Sequence, residues 1–383
     1  MRTNIFKRAL YKKIKRSFNN NYGIENYDEY RFGPYLAVDE VVKKDKVKLL
    51  SINYFKKNIK KWIGYYPENR VYYKKADDYV KDYLNGINNI WNHISKKDKK
   101  LFIDLIAYRL LSYRKIKLPL NKDSYWQAIE KAKELSNPKD TYNPNFLHFI
   151  LEKFDLNPIG YDLQLYFFQL GVATDFIIEQ YAYKIKNTNV VAVESDDVVL
   201  DVGACWGDTA LYFAHKSGNK GKVFSFEFIP DNIKFFNINL ALNPKFFNRI
   251  ELIQHPVSNI SEDIIYYKDN GPGSRVEFKP FKGQTGSCKT ISIDDFVKSK
   301  KLKTVDFIKM DIEGAESMAL EGAIETIRIF RPKLAIAIYH SFDDFINIPN
   351  WILGLDLGYE IFIGHYTIHA EETICFAKPK NNV

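Results

Sequence analysis

Cysteine is scarce. Cys205, Cys288 and Cys375 are the three in 383 residues, far apart and with no C-x-x-C pair. That excludes a zinc ribbon, an iron–sulfur cluster and radical chemistry built on one, and it points to a reducing, cytoplasmic compartment. No run of about 18 apolar residues is present, so no membrane-spanning helix is expected. The opening MRTNIFKRALYKKIKR is basic with no apolar stretch behind it, unlike a secretory signal. Internal repeats and long low-complexity tracts are missing. The phosphate-loop pattern G-x-x-x-x-G-K-[ST] is also missing. What remains is ordinary globular material: 46% hydrophobic and 27% charged residues, with aromatics at 15% to build a core. Global disorder is therefore excluded.

Charge is unevenly spread. The net value is +9, but residues 1–190 carry 35 basic against 21 acidic side chains (+14), and residues 191–383 carry 21 against 26 (−5). Lys, Asn, Tyr and Ile abound throughout, so most of the basic excess is compositional bias. Residues 1–20 are the concentrated cluster, with seven positive charges and no negative one. A membrane-surface or other acidic partner for that run is the functional reading, and a solvated helix is the bland one. The negative second half is wrong for gripping phosphates, so no nucleic-acid partner is expected.

The texture of the chain changes midway. Residues 1–45 read as a basic helix followed by a Tyr/Asn-rich loop. Residues 46–136 read as mostly helical, with apolar positions three and four apart in LFIDLIAYRLLSYRKI and SYWQAIEKAKEL. NPKDTYNPN reads as a linker, and FLHFILEKF and LQLYFFQLGVATDFIIEQYAYKI again have helical spacing. From residue 196, buried strands alternate with helices of about ten residues: VVLDV, GDTALYFAHKSG, KVFSFEF, PDNIKFFNINLAL, VDFIKM, ESMALEGAIETIRIF and KLAIAIYH. Such alternation predicts an α/β fold with a doubly wound, mostly parallel sheet. YEIFIGHY and TICFAKP suggest a closing antiparallel hairpin, and residues 261–295 a strand-and-loop insertion. The expected division is a mainly helical domain over 1–160, for acceptor binding or oligomerisation, and an α/β domain over 161–383.

The chemistry begins where the first of these strands ends, at Asp201-Val202-Gly203-Ala204-Cys205-Trp206-Gly207. Open α/β sheets bind ligands at that edge. Glu227 ends the next strand, 20 positions after Gly207, a spacing at which a carboxylate grips a ribose. The glycines are spaced G-x-x-x-G, not G-x-G-x-x-G, and Asp201 stands just before the first. A carboxylate there suits a cationic cofactor better than a pyrophosphate, which points to S-adenosylmethionine. A second acidic block, Lys309-Met310-Asp311-Ile312-Glu313-Gly314-Ala315-Glu316, ends VDFIKM at the same edge. Asp311 and Glu313 precede the helix proper and read as functional. Glu316 and Glu321 read as complements of the helix dipole.

These segments resemble the FkbM-type family of S-adenosylmethionine-dependent methyltransferases. The resemblance lies in VVLDVGACWGDTALYFA, VFSFEFIPDNIKFFNINLALN, TISIDDF, VDFIKMDIEGAESMALEGA and RPKLAIAIYH, and spans about 180–380. It implies a Rossmann-like seven-strand sheet and methyl transfer to a hydroxyl of a sugar, sugar nucleotide or glycan, as in surface polysaccharide biosynthesis. A non-sugar metabolite and a nucleic acid are the alternative acceptors. The nucleic-acid alternative lacks an N-P-P-[YF]-like loop, because no Asn-Pro pair here is followed by a second proline. Two positions depart from the family pattern: Cys205 stands where Asn is usual, and Phe228 follows Glu227 where Pro is usual.

Residue roles follow. Asp201, Gly203, Ala204, Cys205 and Gly207 line the methionine end, Glu227 takes the ribose, and Phe228 and Val257 flank the adenine. Asp311 also faces the cofactor, and Tyr181 closes the site or serves as a core tyrosine. Cys205 reads as a small hydrophobe. His340, at the end of KLAIAIYH, is the candidate base, because a free imidazole titrates near about 6.5. Capping of the following helix is the other reading for it. Glu313 is placed beside it as a catalytic residue. Asp311, Glu313 and His340 are the alternative set for a divalent metal, magnesium or manganese. His365 and His369 are weaker candidates, and His255 is assigned to a strand turn. A homo-oligomer is a further expectation.

Overall fold

The computed structural model describes residues 5–29 and 67–380. Most of the expected Tyr/Asn-rich loop and the start of the helical stretch after it fall outside the described residues. The chain divides into two compact units. One comprises Met1–Asn92, Lys99–Asn121 and Ile368–Ala370, and the other His93–Asp98, Lys122–Thr367 and Glu371–Val383. The change of unit thus falls at 121/122, earlier than the texture of the sequence suggested.

The first unit is helical. Helix α1 (Ile5–Ser17) buries Phe6, Leu10 and Ile14, the i, i+4 stripe of an amphipathic helix. Phe6 meets Trp91 of α2 (Pro67–His93) and Phe102 of α3 (Lys96–Leu111). Lys7 pairs with Asp77, and Lys13 pairs with Asp104, each at 2.6 Å. Two charges of the basic run are therefore spent within the unit. No helix among the described residues is long and apolar enough to cross a membrane.

The second unit opens with α4 (Asp123–Glu134) and a small antiparallel sheet, β1 (Ser136–Tyr142), β2 (Leu151–Asp155) and β3 (Gln164–Phe167). This corrects the linker and helical readings of 137–167. The apolar residues three apart, Leu151 and Phe154, are both buried on β2, which is paired along both edges. A short helix, α5 (Gln169–Val172), runs on as a π-helix over Ala173–Ile178 and stops at left-handed Glu179. The hairpin β4 (Tyr183–Ile185) and β5 (Thr188–Val191) follows.

The large sheet comes next. In chain order its elements are β6 (Val198–Val202), α6 (Asp208–Lys216), β7 (Lys222–Phe226), α7 (Pro230–Ala241) and β8 (Ile250–Ile253). An insertion of β9 (Ile264–Lys268), β10 (Arg275–Glu277) and β11 (Gly286–Lys289) forms its own antiparallel sheet, within the span expected for it. Then come α8 (Ile293–Lys300), β12 (Phe307–Met310), α9 (Glu316–Glu321), α10 (Ile324–Phe330), β13 (Lys333–Ala337), α11 (Phe342–Gly354), β14 (Tyr359–His365) and β15 (Thr373–Pro379). The strand order is β14-β15-β13-β12-β6-β7-β8. Pairs from β13 to β8 are parallel, and β15 is antiparallel to both β13 and β14. The expected seven-strand α/β sheet with a closing hairpin is what the chain forms.

The central strands β6, β7, β12 and β13 are almost wholly buried, as parallel strands covered on both faces must be. The order of strands reverses between β6 and β12, which is where such sheets open a ligand crevice. One device stiffens the frame beside it. Asn239 of α7 and Asn243 just beyond bond the free edge of β3. Tyr166 N–H donates to Asn239 Oδ1 (2.7 Å) and Gln164 N–H to Asn243 Oδ1 (3.0 Å), with both side-chain amides donating back to the β3 carbonyls. Two side chains thus stand in for a neighbouring strand.

Candidate active site

The carboxyl ends of β6, β7 and β12 bring the expected residues to one edge. Gly203 follows β6 with φ +86°, and a Cβ there would stand 2.0 Å from the Asp311 carbonyl oxygen. Only glycine allows the two loops of the switch point to lie this close. Gly203 and Ala204 N–H both donate to the Phe226 carbonyl, at 3.1 and 3.0 Å, locking the corner onto β7. Gly207 is again left-handed and opens α6. Cys205 between them has φ +44°, unfavourable for a residue with a Cβ by about 1–2 kcal/mol. Burial pushes its thiol well above the usual range, and Asp208 and Glu227 add to this, so no reactive thiolate forms. Asparagine tolerates such a backbone. Cys205→Asn is therefore expected to raise the melting temperature by about 1–3 °C in a thermal scan; a lowered value would reject strain at this residue.

Asp201 does not face the crevice. It is fully buried. Thr209 Oγ1 donates to both its oxygens (3.0 and 2.9 Å), Ser225 Oγ donates at 3.2 Å, and Lys309 Nζ lies 3.3 Å away. Register explains the set: Asp201 stands opposite Ser225 on β7 and Lys309 on β12. Lys309, 1% exposed, also donates to the Gly203 carbonyl at 2.5 Å. Burial works against its charge, yet Asp201, Asp311 and Asp208 hold its pKa above the ordinary value. Asp201 and Lys309 therefore pin the glycine corner from beneath. Lys309 had one sequence signal, a lone cation in the apolar strand VDFIKM.

Glu227, at the end of β7, is 7% exposed. Its Oε1 accepts N–H groups of Phe228 (2.7 Å) and Ile229 (2.8 Å), and its Oε2 accepts Asn232 Nδ2 (3.1 Å). Burial raises its pKa to about 7 against these three donors. Phe228 is half-buried, with its ring edge-on to Tyr267 of the insertion at 5.7 Å. Val257, 7% exposed, bridges in parallel to Ile291.

Two further acids lie by the corner. Asp175, on the π-helix, and Asp208, at the start of α6, are both buried. Burial and the neighbouring Asp208 push the Asp175 carboxyl well above the usual carboxylate range. Burial raises Asp208 to about 6. Gln180 Nε2 donates to Asp175 Oδ1 at 2.7 Å. Nothing in the sequence marked this pair.

Across the switch point, Asp311 receives the hydroxyls of Tyr181 (Oδ2, 3.1 Å) and Tyr339 (Oδ1, 2.9 Å). His340 Nε2 is 3.5 Å from Asp311 Oδ1 and 3.6 Å from Glu313 Oε2, and Nδ1 is 3.2 Å from Glu316 Oε1. Glu313 is left-handed (φ +56°) and exposed at the rim. Glu316 is fully buried and accepts Ile312 N–H at 2.8 Å, so its reading as a mere dipole complement is corrected. The helix after His340 is capped by Ser341, whose hydroxyl accepts Asp344 N–H, so His340 is not a cap. Burial opposes charge on its ring, but Glu316, Asp311 and Glu313 outweigh it and raise the pKa to about 9. The expectation of a base titrating near neutrality is corrected: three carboxylates hold the proton on. The remaining histidines lie elsewhere. His255 Nδ1 contacts the Lys289 carbonyl (2.9 Å), His365 Nδ1 contacts Thr373 Oγ1 (2.9 Å), and His369 pairs with Asp28 at 3.4 Å.

Residues 201–361 match the family described as methyltransferase FkbM domain. Over that span the chain is similar to the FkbM methyltransferase domain. Its β6 corner, its β7 acid and its Asp311–His340 cluster all fall inside the matched span. Among curated proteins, the chain is similar to 2-O-methyltransferase NoeI of Sinorhizobium fredii (strain NBRC 101917 / NGR234). The two are 27% identical over 150 residues, 34% of this chain and 59% of that protein, so the match spans well under two thirds of the relative. Among solved structures, the chain is similar to methyltransferase FkbM from Methylobacillus flagellatus KT, at 18% identity and TM-score 0.48, covering 78% of this chain and 59% of that one. It is also similar to Aeropyrum pernix fibrillarin in complex with natively bound S-adenosyl-L-methionine, at 15% identity and TM-score 0.31, covering 48% and 67%.

Proposed function

We propose that the chain binds S-adenosylmethionine at the β6–β12 switch point and methylates a hydroxyl oxygen of a sugar, sugar nucleotide or glycan, in the making of a surface polysaccharide. Oxygen as the methylated atom is supported by the name of the curated relative, and the sugar class by the resemblance to the FkbM-type family. The observation that carries the cofactor reading is the Glu227 cradle. Three donors hold this buried carboxylate in place at a strand end, and Asn232 Oδ1 beside it is buried with no hydrogen-bond partner. A ribose diol supplies the donors that these oxygens lack. The Asp175–Asp208 pair is a fitting counter-charge for a cationic methionine end.

When bound, the cofactor supplies an activated methyl group on a sulfonium. The chain's own residues then have three tasks. Glu227 and Asn232 hold the ribose. The corner pinned by Lys309 keeps the backbone open to the ligand. Asp311, fixed by two tyrosine hydroxyls, faces the acceptor hydroxyl and takes up its proton, and His340 with Glu313 orients that hydroxyl. Alignment of this kind contributes about 7–11 kcal/mol to catalysis. Mass spectrometry of candidate sugar nucleotides incubated with enzyme and cofactor tests the reaction: a methylated product supports it, and cofactor binding without any methylated sugar would move the acceptor to another class.

A pH dependence follows from Glu227. Its pKa is raised to about 7, so ionisation is completed only above neutrality. The carboxylate accepts hydrogen bonds on both oxygens, and the carboxylic acid gives up one of those acceptor sites. Cofactor affinity, followed by calorimetry, is therefore expected to rise as pH passes upward through about 7. Glu227→Gln should flatten that rise; a profile of the same slope in the variant would remove Glu227 from the ribose site.

A further inference from the structure

We infer that Asp311, Glu316 and His340 form a binding site for one divalent cation of the magnesium or manganese class. The inference rests on the methyl-transfer reading only for the cation's use, not for its binding. One ligand atom from each residue lies within 4.8 Å of the others. Closeness of acids alone is a common surface feature, but these groups are not on the surface. Glu316 is fully buried, and its Oε2 has no hydrogen-bond partner. The His340 side chain is 10% exposed, and its ring nitrogens meet carboxylate oxygens at 3.2–3.6 Å without a well-formed hydrogen bond. Unpaired buried polar atoms are rare, and each calls for a missing partner. Here a buried carboxylate oxygen and an imidazole nitrogen of this kind belong to one cluster with Asp311.

The surroundings are those of a metal site. Ligating groups are usually fixed from behind by a second ring of hydrogen bonds. Tyr181 and Tyr339 donate to Asp311, and the Ile312 N–H donates to Glu316 Oε1. Glu316 is thus oriented with its Oε2 left available, and Asp311, held by tyrosine hydroxyls on both oxygens, keeps a second lone pair on each. Two carboxylates and one imidazole form a hard, oxygen-rich set suited to magnesium or manganese. Three protein ligands leave half of an octahedron open to water or to acceptor oxygens. A cation there polarises the acceptor hydroxyl and lowers its pKa. The site differs from the set the sequence suggested in one member. Glu316 takes the place of Glu313, which is exposed at the rim, 3.6 Å from the imidazole Nε2.

Titration of the chelator-treated protein with manganese chloride, followed by the electron paramagnetic resonance signal of free manganese, tests this. One bound ion per chain is expected. Glu316→Gln and His340→Gln should each weaken binding at least about tenfold, and Glu313→Gln should leave it unchanged. Two substitutions on different elements guard against a single misfolded variant, and circular dichroism checks both. S-adenosylmethionine is titrated into the same metal-free samples. Cofactor binding with no stoichiometric manganese would overturn the cation site and leave the methyltransferase reading standing. Manganese bound as tightly by both variants as by the parent would also overturn it. Manganese bound as expected with no cofactor binding would uphold the site and sink the other reading.

Discussion

Replacing His340 by alanine is expected to lower turnover by about 10²-fold, the scale of loss when an acceptor is misplaced by about 1 Å, and to leave cofactor affinity unchanged. The two halves of this result separate the acceptor side of the crevice from the cofactor side. His340 follows β13 and faces Asp311, Glu313 and Glu316, and the ribose cradle ends β7. Loss of turnover together with loss of cofactor binding would show that the substitution disturbs the whole edge. Near-normal turnover would take His340 out of the chemistry altogether. Single-turnover rates with saturating cofactor, set beside calorimetric affinities, read both quantities.

Removing the cation under the glycine corner should have the largest effect on stability. Lys309→Met strands Asp201 in the sheet with its charge unpaired, and breaking a buried pair from one side costs about 3–5 kcal/mol. For a chain of this size that is a fall in melting temperature of about 4–6 °C. The double variant Asp201→Asn, Lys309→Met should recover much of the loss, because the stranded charge is gone and Thr209 and Ser225 can still bond the amide. Both variants should weaken cofactor binding, since Lys309 also anchors the Gly203 carbonyl. Strictly additive losses in the double variant would mean that the two residues act independently.

The sheet was legible in the sequence because buried parallel strands are continuous apolar runs, and VVLDV, KVFSF, FIKM and KLAIA are such runs with helical segments between them. The glycine corner, Glu227 and Asp311 were legible for the same reason: each directly follows a strand, so locating the strand locates the residue. The parts that were not legible depend on which residues lie opposite each other in the folded sheet. Lys309 meets Asp201 through strand register alone. Tyr339 and Tyr181 converge on Asp311 from distant elements. Glu316 looked like one more acid at a helix start, and only its complete burial beside an imidazole gives it another meaning. Residues 146–154 and 163–167 have helical spacing yet supply β2 and β3, because pairing partners along β2 and the asparagine amides that bond β3 decide their conformation.

Calorimetric titration of S-adenosylmethionine into the parent protein and into Glu227→Ala is the most direct measurement. The expected result is one molecule bound per chain, with affinity at least about tenfold weaker in the variant, the loss of a charge-assisted hydrogen-bond acceptor worth about 1.5–3 kcal/mol. No binding by the folded parent protein, or equal binding by both proteins, would contradict the placement of the methyl donor at the β6–β12 edge.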